Sequence, residues 1–186
     1  MPNRCILQAA LLVCFCTRAL SGNYSLLRSQ QRRSNLESQR ILGQLNGSDI
    51  NCLKLRLNST LPEEVKHPPR LQKEDALLIT DVMLQQIFQI FGRNYASTGW
   101  DESIIKKLNV NLYEQIKQLK TAMGEIAEKD NFPWSNKIIR KLKKYYFNLV
   151  CYLQVNEYSS CAWVIVKRDI FRSIFFLNKL TDYLPD

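Results

Sequence analysis

The clearest pattern in the chain is a repeat of apolar residues every three or four positions. Between Asp101 and Glu128, seven apolar residues keep this spacing, and charged residues fill the positions between them. Such spacing is typical of an amphipathic helix that buries one face. Asp101 stands directly before the repeat, where its carboxylate can accept hydrogen bonds from the first free backbone N–H groups. The pattern therefore predicts a long helix that begins after Asp101.

The same spacing predicts three further long helices. One covers residues 71–91 and ends at Gly92, because glycine is the usual residue just beyond a helix. Another is entered through Pro133, and the last begins near Ser159 and Ser160.

An additional helix is predicted before these four, between Leu26 and Leu45. Apolar residues mark its two ends, and the polar stretch 28–35 lies between them. Residues 46–70 follow with one glycine and three prolines, and they read as a long loop. Five long helices with one long first crossover loop predict an all-α fold, the up-up-down-down helical cytokine bundle.

The first 21 residues differ from the rest of the chain. Arg4 precedes a short apolar run, and Ala19 and Ser21 supply the small residues of a cleavage site. We expect residues 1–21 to be a secretory signal peptide and residues 22–186 to be a single helical domain that is secreted. The apolar run is too short to span a bilayer, so we expect no membrane insertion.

Charge and cysteine count follow from that cleavage. Loss of Arg4 and Arg18 lowers the formal net charge from +9 to +7, and three of the six cysteines are lost with them. The remaining three, Cys52, Cys151 and Cys161, predict one disulfide and one free thiol in an oxidising compartment. Spacing alone permits any of the three pairings.

The candidate chemistry of the remaining chain is sparse. His67 is the only histidine and glycines are few, which argues against catalytic triads, histidine metal sites and phosphate-binding loops. We expect no enzyme activity, no metal and no cofactor. Three sequons predict N-glycans at Asn23, Asn46 and Asn58.

Several short motifs, spread over the whole chain, resemble the type I interferon family. They are Cys52-Leu53-Lys54, Leu61-Pro62-Glu63-Glu64, Gln72-Lys73-Glu74-Asp75-Ala76, Ser97-Thr98-Gly99-Trp100, Lys143-Lys144-Tyr145-Tyr146 and Cys161-Ala162-Trp163. The resemblance implies a cytokine that bridges the two chains of the type I interferon receptor. Janus kinases and STAT factors would then carry the antiviral, antiproliferative and immunomodulatory signal.

The resemblance also implies a cysteine pairing. Cys52 in the long loop would pair with Cys161 at the start of the last helix, leaving Cys151 free. Some family members have their free cysteine in the first helix, where this chain has Ser38. Two interpretations of Cys151 remain open: a small buried apolar residue, or an exposed thiol that promotes disulfide-linked dimers.

Two sets of receptor-binding residues follow from the resemblance. The high-affinity receptor chain would contact the long loop and the last helix, at Leu53, Arg56, Lys167, Phe171 and Arg172. The low-affinity chain would contact the second to fourth long helices, at Phe88, Arg93, Tyr113 and Lys144. Phe88 could instead belong to the core. Ser29 and Gln30 stand where apolar residues are common in the family, which leaves the packing of the first helix open.

An alternative function rests on charge. The fourth long helix carries five basic residues within eight positions, which favours a cationic amphipathic protein acting at membrane or heparan sulfate surfaces. Heparan sulfate capture is also compatible with the cytokine function. A nucleic-acid partner is not expected, because the aromatic residues follow core-like helical spacing. We expect a monomer.

Overall fold

The computed structural model describes residues 25–46, 52, 57, 59–67, 73–124 and 133–184. These residues form helices and turns, and no strand occurs among them. The helices are α1 (residues 25–44), α2 (Glu63–Lys66), α3 (Lys73–Phe91), α4 (Glu102–Gly124), α5 (Pro133–Val155) and α6 (Ser160–Leu180), with short 3-10 helices at Ala96–Thr98 and Thr181–Tyr183.

The helix ends lie where the sequence places them. Asp101 Oδ1 accepts the Ser103 backbone N–H at 2.7 Å, and Ser159 Oγ accepts the Ala162 N–H at 3.4 Å, so both residues cap their helices. Gly92 directly follows α3 and Pro133 opens α5. The predicted extension of α4 towards residue 128 lies outside the described residues.

The short helix α2 inside the first crossover was not predicted. It follows Pro62, and Lys66 Nζ lies 2.7 Å from Glu63 Oε1 across one turn. Four residues are too few to show a helical repeat in the sequence. Val65 is fully buried and packs into the main core, so tertiary contact stabilises this turn.

Contacts along α1 define its direction relative to two other helices. Its end lies beside the start of α4, where Trp100 Nε1 donates to the Asn46 carbonyl at 2.6 Å. Its first half lies beside the second half of α4, where Gln31 Nε2 donates to the Gln115 carbonyl at 3.2 Å. Arg32 also lies 3.4 Å from Asp182, just beyond α6. Helix α1 is therefore antiparallel to both α4 and α6.

The other directions follow in the same way. Asp81 of α3 is close to Lys120 near the end of α4, and Phe88 shares a groove with Ile105 near the start of α4. These two helices are antiparallel, which makes α3 parallel to α1. Helices α1, α3, α4 and α6 thus run up, up, down and down, and α5 runs antiparallel to α6 because only residues 156–159 join them. The predicted all-α cytokine bundle is confirmed.

Aromatic rings fix one end of the bundle. Trp163 of α6 is fully buried, with its ring centroid 6.0 Å from Phe91 of α3 and 5.6 Å from Trp100 before α4. Its indole N–H donates to the Asn94 carbonyl at 2.9 Å. Each indole N–H in this cluster therefore has a backbone acceptor, so the rings are buried without an unpaired donor.

The contact between α1 and α4 contains a row of buried polar side chains. Gln31, Asn35 and Ser38 are almost fully buried on α1, and Asn111 Nδ2 donates to Ser38 Oγ at 2.8 Å. We call these three residues, with Asn111 and Gln115 of α4, the polar seam. Ser29 and Gln30 point away from it: Ser29 is exposed and Gln30 half-buried. Their polarity therefore does not disturb the packing of α1.

Asp81 provides a test of the core. Its side chain is buried, one oxygen accepts a hydrogen bond from Gln85 at 2.5 Å, and the other has no partner. Burial raises the pKa of Asp81, against the smaller opposing effects of Gln85 and Lys120. At neutral pH the ionised carboxylate therefore lowers the free energy of unfolding, and this loss is recovered as the pH falls through the raised pKa.

We predict that Asp81→Asn raises the free energy of unfolding at pH 7, because the amide keeps the acceptor for Gln85 and removes the buried charge. The gain over wild type should shrink as the pH falls towards the ordinary pKa of aspartate. Urea denaturation at several pH values measures both effects. Asp182→Asn, at an exposed carboxylate paired with Arg28 and Arg32, is the control and should give no gain. A pH-independent gain at Asp81 would contradict the electrostatic explanation.

Candidate receptor-binding surfaces

The second half of α6 presents a charged and aromatic surface to solvent. Phe171 is 42% exposed and the Arg172 side chain 64% exposed, whereas Ile170 and Ile174 on the opposite side are fully buried. The helical repeat requires this division, because residues 170 and 174 share one face and residue 171 lies about 100° away from it. The structure thus places two of the expected high-affinity residues side by side on the surface.

Arg172 is held only loosely by the protein. Its Nη1 lies 3.9 Å from Asp169 Oδ1, one turn earlier on α6. Burial raises the pKa of Asp169, and the nearby Arg172 and Arg168 oppose that shift. An ion pair with so exposed a side chain contributes little to stability. The guanidinium therefore stays available to a partner carboxylate.

Lys167 has a different environment from the other expected contacts. It is half-buried, and its Nζ donates to the Leu45 backbone carbonyl at 2.8 Å. This hydrogen bond ties α6 to the end of α1. Sequence reasoning did not anticipate it, because the acceptor is a backbone atom 122 residues away.

The long loop is joined covalently to the start of α6. Cys52 forms a disulfide with Cys161, with their Cα atoms 5.3 Å apart, as the resemblance implies. Cys52 also packs against Val164 and Ile165. Leu53 and Arg56 lie outside the described residues. The disulfide attaches the loop to the first turn of α6 at Cys161, about 15 Å along the helix from Phe171.

A separate groove lies between α3 and α4. Phe88, half-buried, lines it together with Tyr113, which is 55% exposed, and Ile105 and Val110 lie between them. The groove has a volume of about 520 Å³. Phe88 also packs against the core. It therefore belongs both to the core and to the surface groove, the two placements that the sequence left open. The structure thus brings two of the four expected low-affinity residues together.

The other two expected low-affinity residues lie elsewhere. Lys144 is exposed on α5 and lines a second groove with Ser59, Thr60 and Asn148. Arg93 is half-buried just after α3 and does not line the groove of Phe88 and Tyr113. The four residues expected to bind the low-affinity receptor chain therefore occupy at least two distinct places on the surface.

An aromatic extension of the α6 surface was missed by sequence reasoning. Phe175 is 48% exposed and forms an edge-to-face pair with Phe176, with centroids 5.5 Å apart. Lys179 Nζ lies 5.0 Å from the centre of the Phe175 ring, within the range of a cation–π interaction. The signal was present, because Phe175 follows Phe171 by one helical turn.

The remaining residues predicted from the sequence are Cys151 and the asparagines of the three sequons. Cys151 is free and half-buried on α5, between the two environments considered for it. Asn46 is exposed at the end of α1, as a glycan acceptor must be. Asn23 and Asn58 lie outside the described residues.

The fold and these exposed surfaces define a helical cytokine, and comparison with known proteins gives the family. The sequence profile of the interferon alpha/beta domain matches residues 27–184. The chain therefore belongs to the interferon alpha/beta family. It is a type I interferon cytokine, whose partner is the type I interferon receptor, and it is not an enzyme.

Individual relatives agree with this assignment. The chain is 50% identical over 186 residues to interferon beta of Felis catus, covering all of both chains. It is 48% identical over 186 residues to interferon beta of Homo sapiens, covering 99% of each chain. Among solved structures, zebrafish interferon 1 is similar with a TM-score of 0.72 at 17% identity, over 84% of this chain and 97% of that one. This last likeness concerns the fold alone.

Within the described ranges, every helix is too short or too polar to cross a bilayer.

The disulfide supplies a test of how the first loop is held. We predict that replacing both Cys52 and Cys161 by serine lowers the free energy of unfolding by about 2–4 kcal/mol, because a cross-link over so long a loop restricts the unfolded chain. Chemical denaturation of the oxidised protein measures the difference. Cys151→Ser is the matched control and should change stability far less. Equal losses in the two variants would contradict the assigned pairing.

Proposed function

We propose that this interferon binds its two receptor chains through separate surfaces. The high-affinity chain binds α6 and the first loop, at Lys167, Phe171, Arg172, Leu53 and Arg56. The observation that carries this proposal is the outward position of Phe171 and Arg172 beside a fully buried row of α6 isoleucines. Arginine and aromatic side chains are the usual centres of protein interfaces.

The low-affinity chain binds the side of the molecule formed by α3, α4 and α5. Phe88 and Tyr113 offer apolar and hydroxyl groups in one groove, and Arg93 and Lys144 contribute charge outside it. Helix α4 packs against α3 and α1, whereas α6 packs against α5, α3 and α1. The two surfaces thus lie on different helices, which supports simultaneous binding of both chains.

Signalling requires no chemistry from the interferon itself. By holding two receptor chains together, it lets their associated Janus kinases phosphorylate each other and the STAT factors. The antiviral, antiproliferative and immunomodulatory responses follow. What the protein supplies is binding energy and a fixed distance between two sites, which a rigid bundle provides.

The form that acts is a secreted monomer of residues 22–186, released after removal of residues 1–21. N-glycans at Asn23, Asn46 and Asn58 cluster in the first third of this chain. The exposed side chain of Asn46 is compatible with that modification. Its relatives are named as interferons, which supports an extracellular site of action.

Heparan sulfate is proposed as a second extracellular partner. The formal net charge of residues 22–186 is +7, and α5 contains no acidic residue along its 23 positions. Excess positive charge attracts polyanions over several ångströms and raises the rate of encounter. Such capture would hold a secreted cytokine at the cell surface.

We predict that Phe171→Ala and Arg172→Ala each weaken binding to the high-affinity receptor ectodomain by about 2 kcal/mol or more, since both side chains lie at the centre of the proposed surface. Surface plasmon resonance with the secreted protein measures the change. Circular dichroism should show an unchanged helix content, because neither side chain is part of the core. Tight binding unaffected by both changes would reject this site while keeping the cytokine function.

We predict that a change in the groove between α3 and α4 weakens binding to the low-affinity receptor chain and not to the high-affinity chain. Tyr113→Ala should weaken binding to the low-affinity ectodomain, and reduce STAT phosphorylation, while binding to the high-affinity ectodomain stays within about twofold. Tyr113 is exposed, so its loss should not unfold the bundle. Val110→Ala, a smaller truncation in the same groove, is expected to have a weaker effect. A loss of high-affinity binding in Tyr113→Ala would show that the two surfaces are not independent.

A further inference from the structure

Helix α5 carries a dense group of exposed cations. Lys137, Arg140, Lys141, Lys143 and Lys144 all point to solvent. Four of them, at positions 137, 140, 141 and 144, follow the three- and four-residue spacing that aligns side chains along one face of a helix. They span about 10 Å along the helix axis. We call these five residues the α5 basic stripe.

Among the described residues, the carboxylate of Glu64 lies against the basic stripe. Lys141 donates to Glu64 Oε1, which joins α5 to α2. The carboxylate of Glu64 has a lowered pKa, chiefly because of this hydrogen bond, with Lys137 adding a smaller effect. Within the described part of the chain, Lys143 and Lys144 have no carboxylate within 4.0 Å. Among the described residues, the charges of Lys143 and Lys144 are therefore not neutralised by a carboxylate.

Beside the stripe is a groove with polar walls. Ser59 and Thr60 of the crossover loop and Lys141, Lys144 and Asn148 of α5 line it, together with the carboxylates of Glu63 and Glu64 on α2. The ammonium groups that face solvent outside the groove are therefore the sites for sulfates, and the groove itself offers hydrogen bonds to hydroxyls. Its volume is about 370 Å³, and Asn148 Nδ2 lies 3.5 Å from Ser59 Oγ across it. Hydroxyl and amide groups next to ammonium groups provide both the hydrogen bonds and the charge that a sulfated sugar requires.

The opposite face of α5 excludes a membrane as the preferred partner. Its apolar residues, Ile138, Leu142, Leu149 and Leu153, are at most 3% exposed because they fill the bundle core. An interfacial helix needs such a face to insert between lipids. Phe147 is 63% exposed, but a single ring does not replace it. A hydrated polyanion can instead bind the stripe with the bundle intact.

We propose that the α5 basic stripe and the adjoining polar groove form the binding site for a sulfated polysaccharide. This site deepens the heparan sulfate partnership proposed above and rests on it. The sulfates contact Lys137, Lys143 and Lys144, and the sugar hydroxyls reach Asn148 beside them. Binding depends on the arrangement of charge on α5 and not on the net charge of the molecule.

The chain offers a matched pair of variants to test this. Lys143 and Lys144 are adjacent exposed lysines on α5, and Lys106 and Lys107 are adjacent exposed lysines on α4. Lys143→Gln with Lys144→Gln, and Lys106→Gln with Lys107→Gln, remove the same charge from two different helices. Binding of heparin to the full secreted protein is measured by surface plasmon resonance at physiological salt and over a salt series.

We expect the α5 double variant to raise the dissociation constant for heparin about tenfold and to flatten its salt dependence, because fewer counterions are released on binding. The α4 double variant should change the dissociation constant by less than about threefold, the effect of net charge alone. Replacing both α5 lysines by arginine should restore binding, which shows that charge and not folding was lost. Circular dichroism checks the helix content of every variant.

Four results would overturn the proposal in distinguishable ways. Equal loss in the α4 and α5 variants would show binding by net charge, and would reject the site while keeping heparan sulfate as a partner. No binding of heparin by wild type at physiological salt would reject the partner itself. Equal binding of desulfated heparin, or tighter binding to phosphatidylserine vesicles, would reject the sulfated ligand.

Discussion

The contact of Trp163 with its neighbours is the constraint on which the bundle depends. This one side chain packs on Phe91 at the end of α3 and on Trp100 before α4. Trp100 in turn donates to the carbonyl of Asn46 just beyond α1. Four helices are therefore fixed at one end through two indole rings. Loss of so large a buried ring leaves a cavity that its neighbours can fill only in part, so its cost is among the largest for any core substitution.

Both proposed receptor surfaces depend on that fixed end. The disulfide at Cys161 lies two residues from Trp163, so the first loop is attached where α6 is held most firmly. From there α6 runs outward with Ile170 and Ile174 in the core, and that register turns Phe171 and Arg172 to solvent. A rotation of α6 by one residue position would turn Arg172 towards the core and Ile170 towards solvent. The packing of Trp163 thus determines which side chains of α6 are exposed and can contact a receptor.

The sequence predicts best what depends on local spacing. The starts of α4 after Asp101 and of α6 near Ser159, the end of α3 at Gly92 and the start of α5 at Pro133 all follow from residues within one or two turns. What it misses depends on partners far along the chain. The hydrogen bond from Lys167 to Leu45 and the groove that Lys144 shares with Ser59 join segments that no repeat connects. Helix α2 was missed for a related reason, because its stability comes from burial of Val65 and not from its own four residues.

Helix α1 shows why a polar pattern need not prevent a helix from packing. Its middle is held to α4 by the polar seam, in which Gln31 and Asn111 find partners but Asn35 has none. An apolar contact of the same size would stabilise α1 more, since unpaired buried amides cost free energy. Hydrogen bonds, however, form only when the two helices are in one defined register. Apolar packing alone permits the helices to slide past each other. Trp100 and Lys167 fix the end of α1 and so stabilise it. The polar seam at the centre of α1 sets its alignment with α4. This division of roles keeps α1 in a defined position beside α6, the helix that carries the proposed high-affinity surface.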